Sequence, residues 1–347
     1  MSDTRTIWLL SAYRADSHAS WADWLQARLP AFDWRVLELP GRHFRWRIRG
    51  NPLSWLYALP EQTPDLILAT SMVDLSTLKG LHPRLAGVPT IYYFHENQFA
   101  YPVSENQLKS VEPKMVQLYG ALAADRLLFN SGFNRDSFLK GIDELLGQLP
   151  DQVPKGIADS LRKKSEVLPV AVESIDAAAE KDPALILWNH RWEYDKAPQV
   201  FADALSILKH SGVDFRLALL GARPRVEPEA LEQIEQNCAG NIMVNEKVDR
   251  ERYRRIVSQS SIVVSTAMHE FQGLSIQEAV SAGAVPLVPD ALCYPEQFDQ
   301  QYRYPAGDSK QLAVRMADFL HDRPPVPDVS IYLGDSLIEK WREVLAV

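Results

Sequence analysis

Residues 261–288 read SIVVSTAMHEFQGLSIQEAVSAGAVPLV, and their pattern decides the fold class. The run 261–265 is apolar and β-branched, as befits a strand buried on both faces. A polar loop containing Gly273 follows, then a helix-like segment at 274–282, then a second apolar run at 285–288. Strand, helix and strand in so short a span make a parallel βαβ unit, because parallel strands need a crossover between them.

The alternation continues outward. Strands are expected at 6–10, 34–39, 65–69, 90–94, 125–130 and 166–170, with helices at 19–29, 105–123 and 134–146. The pattern restarts with strands at 184–189, 215–220 and 242–245 and helices at 198–210, 228–237 and 250–259. Residues 173–182 are rich in Ala, Asp and Glu, lack a strand pattern and read as a linker. The expectation is an α/β protein of two Rossmann-like domains facing across a cleft. Residues 1–172 form the first domain and 173–329 the second, with a terminal helix in 330–347 placed to pack back on the first. Ligands of such sheets sit at the carboxyl ends of strands, so motifs just after strands carry the most weight.

Composition narrows the class. The 347 residues are 46% hydrophobic and 24% charged, as in a globular protein. No apolar run approaches the roughly 20 residues of a membrane-spanning helix, and the N-terminus lacks a secretory pattern. Only Cys238 and Cys293 occur, which excludes a disulfide framework and points to a reducing, cytoplasmic setting. Forty-five acids against 37 Lys and Arg give a net charge of −8, so a polyanion would have to be met by a local patch.

Three stretches follow strands and offer chemistry. In Ser265–Glu278, Gly273 lets a ligand approach the backbone, and the helix start offers free N–H groups to anions or polarised oxygens. Glu270 and Glu278 flank that turn and suit two sets of hydroxyls; the alternative is a plain loop with a surface acid. In Trp188–Lys196, Arg191 and Lys196 suit a diphosphate, although Glu193 and Asp195 also fit a solvated turn with local ion pairs. The third, Tyr92–Gln98, sets His95, Glu96, Asn97 and Gln98 after a buried strand, and Asn130-Ser131 ends the next strand similarly. A site lip and a set of backbone caps are both compatible with it. Zinc is disfavoured: His269-Glu270 and His95-Glu96 have glycine and Phe, respectively, where a second His would stand. Neither a Gly-x-Gly-x-x-Gly nor a Walker-type Gly-Lys-Ser/Thr is present, and no two Asp residues stand one apart.

Taken together and in this order, the motifs resemble retaining glycosyltransferases of the family 4 type, with the GT-B fold. Glu270 and Glu278, with Phe271 and Gly273 between them, carry the most specific part of the likeness. A narrower group, the enzymes that mannosylate queuosine in tRNA, is similar along nearly the whole chain. That likeness rests on Ser11-Ala-Tyr13, Ser17-His18, Arg45-Trp46-Arg47, Tyr93–Gln98 with Tyr101-Pro102, and Phe129–Ser131 with Phe133-Asn134. It continues through His190–Glu193, Asp195-Lys196, Ser265-Thr266, His269–Phe271 and Tyr294–Glu296. Two departures from the broad family agree with this group: Ser11–His18 replaces a glycine pair, and no glycine follows Lys196.

The resemblance implies GDP-mannose as donor, no cofactor or essential metal, and transfer to a cyclopentene hydroxyl of queuosine in tRNA-Asp. It implies no membrane and no protein partner. It gives the diphosphate to Arg191 and Lys196, the donor sugar to Glu270 with the backbone of Phe271, Gly273 and Leu274, and the ribose to Glu278. His95 would touch the sugar near the reacting carbon. The acceptor side would comprise Ser11, Tyr13, His18, Arg42, Arg45, Trp46, Arg47, Asn97, Gln98, Asn130 and Ser131.

One stretch stands apart. Residues 39–50, LPGRHFRWRIRG, hold four arginines, His43 and two large aromatics with no acid. The alternation over 44–49 predicts an extended chain with Arg45, Arg47 and Arg49 on one side and Phe44, Trp46 and Ile48 on the other. An edge hairpin with solvated arginines explains that pattern; for a tRNA acceptor, the arginines suit phosphates, and Trp46 or His43 a splayed base.

Overall fold

Six apolar runs of the first half become strands: β1 (Thr6–Arg14), β2 (Asp33–Pro40), β3 (Leu66–Thr70), β4 (Thr90–Phe94), β5 (Arg126–Phe129) and β6 (Ser165–Val167). Six more follow: β7 (Asp182–Trp188), β8 (Arg216–Leu219), β9 (Ile242–Asn245), β10 (Ser260–Val264), β11 (Val285–Pro289) and β12 (Arg303–Tyr304). These come from a computed structural model of the chain, which describes residues 4–101, 110–224 and 227–346. The expected helix start at residue 105, and Pro102 of the third motif, lie outside the described residues.

The chain divides into two units. One takes the chain up to Ala171 and again from Leu337; the other takes Val172–Ser336. Each holds one parallel sheet of six strands, in the order β2-β1-β3-β4-β5-β6 and β12-β11-β10-β7-β8-β9. Strands β3, β4, β10 and β11 are buried at every position, as near-continuous apolar runs in a covered parallel sheet should be. Register in the first sheet is pinned by acids just ahead of two strands. Asp65 and Asp125 accept the backbone N–H of Thr6 and Thr90, each at 2.8 Å. The order of strands reverses between β1 and β3 in one sheet and between β7 and β10 in the other. The carboxyl ends of those four strands are where such sheets bind ligands.

The last helix, Gly334–Ala346, spans the point at which the chain re-enters the first unit. Trp341 is fully buried there, its ring 5.7 Å from Trp21 and 5.3 Å from Tyr93. Helices at Leu75–Leu81, Ile157–Arg162 and Ser309–His321 are additions to the sequence reading.

The arginine stretch corrects that reading. Phe44–Ser54 is a helix, so the arginines do not share one side. Over six residues, alternation suits a strand, but the longer spacing Phe44, Ile48, Asn51, Trp55 is helical, and the last three are buried. Pro52 lacks the N–H that would reach the Ile48 carbonyl. The Asn51 side chain donates to that carbonyl instead at 3.3 Å, and to Arg47 O at 2.7 Å and Met72 O at 3.1 Å.

Candidate active site

In the second unit, the loops after β7 and β10 bring together the expected donor residues. After β7 the chain makes a short turn at Tyr194–Lys196 and starts the helix Pro198–His210, with Ala197 in the left-handed region at φ 43°. Thr266, just beyond β10, donates to the Lys196 and Ala197 carbonyls at 2.8 and 3.1 Å. The Asp195 carbonyl accepts from Met268 and His269 N–H at 2.8 and 3.2 Å. These bonds join the two loops at the point where the strand order reverses.

Lys196 is the centre of this arrangement. It is 7% exposed, and its Nζ donates to the His269 carbonyl at 2.7 Å and to Glu270 Oε2 at 3.1 Å. Asp195 Oδ2 stands 3.4 Å away. Burial works against the ammonium charge, but Glu270 and Asp195 overcome it and raise the Lys196 pKa. Burial likewise opposes ionisation of Glu270. Lys196 and the Gly273 backbone outweigh it and bring the carboxyl down to about 2. Glu270 Oε1 accepts from Phe271 and Gln272 N–H at 3.1 and 3.4 Å, which fixes the carboxylate's orientation. His190 and His269 are depressed by burial first and then by Lys196, to about 3 and about 4, so both are neutral near pH 7. Arg191 differs from Lys196: its side chain is 55% exposed, with Glu193 at 3.2 Å and Asp195 at 3.8 Å. The local ion pairs expected of this turn are present, but Asp195 and Lys196 are buried in it and not solvated.

Gly273 precedes the helix Leu274–Ser281 at φ +75°, in the left-handed region that favours glycine. A Cβ there would also stand 3.1 Å from the Tyr294 ring. Phe271 is buried and Leu274 half-buried beside this turn. Glu278, on the same helix, accepts from Tyr253 OH at 2.9 Å. Burial raises the Glu278 pKa, and the Tyr253 bond works against that rise. Asn189 Nδ2 in turn reaches Tyr253 OH at 3.2 Å and Ser275 O at 2.9 Å.

Sequence reading missed Tyr253, which sits inside an ordinary amphipathic helix, and Gly221. A Cβ on Gly221 would lie 1.5 Å from the His190 carbonyl, so only glycine lets β8's exit pass the β7 loop. A lone glycine after a strand was the available signal.

In the first unit, His95 follows β4 and stacks on His18 at 4.1 Å, with Trp21 edge-on at 4.7 Å. Burial depresses both imidazoles, His18 to about 4 and His95 well below its usual range, the latter also through His18. His18 Nδ1, His95 Nε2 and Ser11 Oγ are buried with no hydrogen-bond partner among the described residues. Tyr13 is half-buried and edge-on to Phe44 at 6.2 Å.

The polar residues after β4 and β5 mostly bind one another. Asn97 donates to Asn134 Oδ1 and Ser137 Oγ, each at 2.9 Å, and accepts from Phe99 and Ala100 N–H. Asn130 donates to His95 O at 2.8 Å, and Ser131 caps the helix Gly132–Leu146 through Asn134 N–H at 3.0 Å. The Gln98 backbone N–H is held by Gln117 at 2.7 Å, leaving its side chain half-buried. These amides shape the loop that carries His95. Arg42, Arg45 and Trp46 are exposed and Arg47 is half-buried.

Comparison with known proteins agrees with this geometry. Residues 6–172 match the family described as tRNA-queuosine alpha-mannosyltransferase N-terminal, and residues 172–332 match glycosyl transferases group 1. A tRNA-queuosine alpha-mannosyltransferase of Drosophila melanogaster is 33% identical over 327 residues, covering 90% of this chain and 86% of the relative. The chain belongs to the tRNA-queuosine alpha-mannosyltransferase family. It is a glycosyltransferase.

Solved structures agree on the fold of this family member. Sucrose-phosphate synthase from Thermosynechococcus elongatus superposes with a TM-score of 0.70 at 11% identity, covering 99% of both chains. HepE of Anabaena, in complex with UDP, gives 0.66 at 12%, covering 99% of this chain and 100% of its own. The two parallel sheets are those of the GT-B glycosyltransferases. Among the described residues, no group of three or more His, Cys, Asp or Glu is arranged to hold a metal ion, and no helix is long and apolar enough to cross a membrane.

Proposed function

We propose that the protein transfers mannose from GDP-mannose, with retention of configuration, to a cyclopentene hydroxyl of queuosine in tRNA-Asp. The observation that carries this reading is the Lys196–Glu270 pair where the second sheet's strand order reverses, in a chain one-third identical to a tRNA-queuosine alpha-mannosyltransferase. Lys196 and exposed Arg191 bind the donor diphosphate. They bind it most strongly as the bond from the anomeric carbon to phosphate oxygen breaks and negative charge collects on GDP. Ionised Glu270 accepts hydrogen bonds from sugar hydroxyls, and Glu278, with one oxygen held by Tyr253, turns the other toward the ribose. The acceptor oxygen joins the anomeric carbon on the face that the leaving group vacates, and its proton passes to the departing phosphate. No metal is called on in this reading. The reaction belongs to the cytoplasm, where buried Cys238 and Cys293 remain thiols.

The test incubates purified protein and queuosine-containing tRNA-Asp with labelled GDP-mannose, GDP-glucose, UDP-glucose or UDP-galactose. Label is expected in the tRNA from GDP-mannose above all others. Equal labelling from a UDP-sugar would overturn the donor assignment.

A further inference from the structure

The helix Phe44–Ser54 and the turn after it present large apolar side chains to solvent. Trp46 is 52% exposed, Leu53 60% and Tyr57 95%. Trp46 is nonetheless held in place. A Cβ on Gly50 would lie 2.5 to 2.7 Å from three atoms of the indole, so the ring packs directly over this glycine while about half of the residue stays exposed. The helix itself is anchored. Asn51 is fully buried, donates to three carbonyls and accepts from Asp74 N–H at 3.1 Å, while Arg49 pairs with the buried Asp74 carboxylate.

The charge beside these rings is positive. Arg42 and Arg45 are exposed and have no acidic partner among the described residues, and the helix has no acid in its first turn. Arg47 is half-buried, its Nε without a hydrogen-bond partner. On a chain of net charge −8, Arg42 and Arg45 beside a half-exposed indole packed on Gly50 are complementary to a polyanion that also has flat apolar faces. A protein partner would supply acids or apolar side chains, but only unpaired nucleotides supply phosphates and stacking faces at every residue.

We infer that this face, resting on the reading that the acceptor is tRNA, is a dock for an unpaired run of that RNA. Phosphates lie on Arg42 and Arg45, one base stacks on Trp46 and another on Tyr57. Gly50 is what makes the Trp46 platform possible. Base stacking on an aromatic ring contributes about 1–3 kcal/mol per base, so loss of Trp46 should weaken RNA binding about 5- to 150-fold.

The test measures the affinity of queuosine-containing tRNA-Asp by fluorescence anisotropy across a salt series, for the whole protein and for three variants. Each variant is first checked for unchanged GDP affinity, which shows that it is folded. Trp46→Ala should weaken binding about 5- to 150-fold with the salt slope preserved. Arg42→Gln with Arg45→Gln should reduce the slope of log K against log salt by about 1 to 2. Gly50→Ala should mimic Trp46→Ala although alanine is the better helix former, because the added methyl displaces the indole. Wild-type affinity in all three variants would overturn the inference while leaving the proposed function standing. So would self-association through this face with RNA binding intact. Absence of tRNA binding by the wild type would overturn the proposed function itself.

Discussion

Glu270 shows how one side chain's environment sets its charge. Its carboxyl falls from 4.5 to about 2, since Lys196 and backbone N–H groups outweigh burial. A carboxyl with a lowered folded pKa stabilises the fold fully above the unfolded value, and that gain is lost as pH falls towards the folded one. The stability margin of the wild type over Glu270→Gln should therefore be constant from pH 7 to about 4.5. It should then shrink by about 1.4 kcal/mol per pH unit on further acidification. Urea midpoints of both proteins across pH 7 to 3 measure this. A margin unchanged down to pH 3 would mean that the pair does not hold the carboxylate. At this scale the sequence singled out Arg191, Lys196, Glu270 and Glu278 as candidates, because charged residues in and around the turns that follow strands are conspicuous. It was silent on Tyr253 and Asn189, whose roles arise from folding two distant segments against each other.

Among the elements, the helix Phe44–Ser54 is where local reading failed. Six alternating residues carry the strand signal, but the side chain that decides the outcome is Asn51, beyond that window. Its amide answers the carbonyl that Pro52 leaves unpaired and ties the helix to Met72 and Asp74. A buried polar side chain with four partners is destabilising to remove because the partners lose water and receive nothing in return. Asn51→Ala should cost about 2–3 kcal/mol, read as a lower urea midpoint. A change below about 0.5 kcal/mol would show that the helix is held by its apolar contacts alone. Strands β4 and β9 and the helices Pro198–His210 and Arg250–Gln259 matched their expected bounds, since apolar period and caps agree there.

At the scale of the molecule, the chain leaves the first unit at Ala171 and returns at Leu337, so the first unit is completed by a segment that follows the second unit in sequence. Trp341 fills a fully buried place against Trp21 and Tyr93, and both of those rings also contact His95. Trp341→Ala should destabilise the first unit by about 3–5 kcal/mol. Hydrogen exchange should rise in the helix Asp16–Arg28 and in β4, and not in β7 or β10; exchange unchanged in the first unit would contradict this packing role. Whole-molecule fold class was legible because two runs of strand–helix alternation leave few architectures open. Strand order was not, since it depends on which edges pair.

The central claim is that this fold serves a modified nucleoside in RNA. The most direct measurement gives the protein labelled GDP-mannose and two forms of tRNA-Asp, one carrying queuosine and one lacking it. Label, in α linkage, is expected in the queuosine form alone; label in both forms equally, or in neither, would contradict that role.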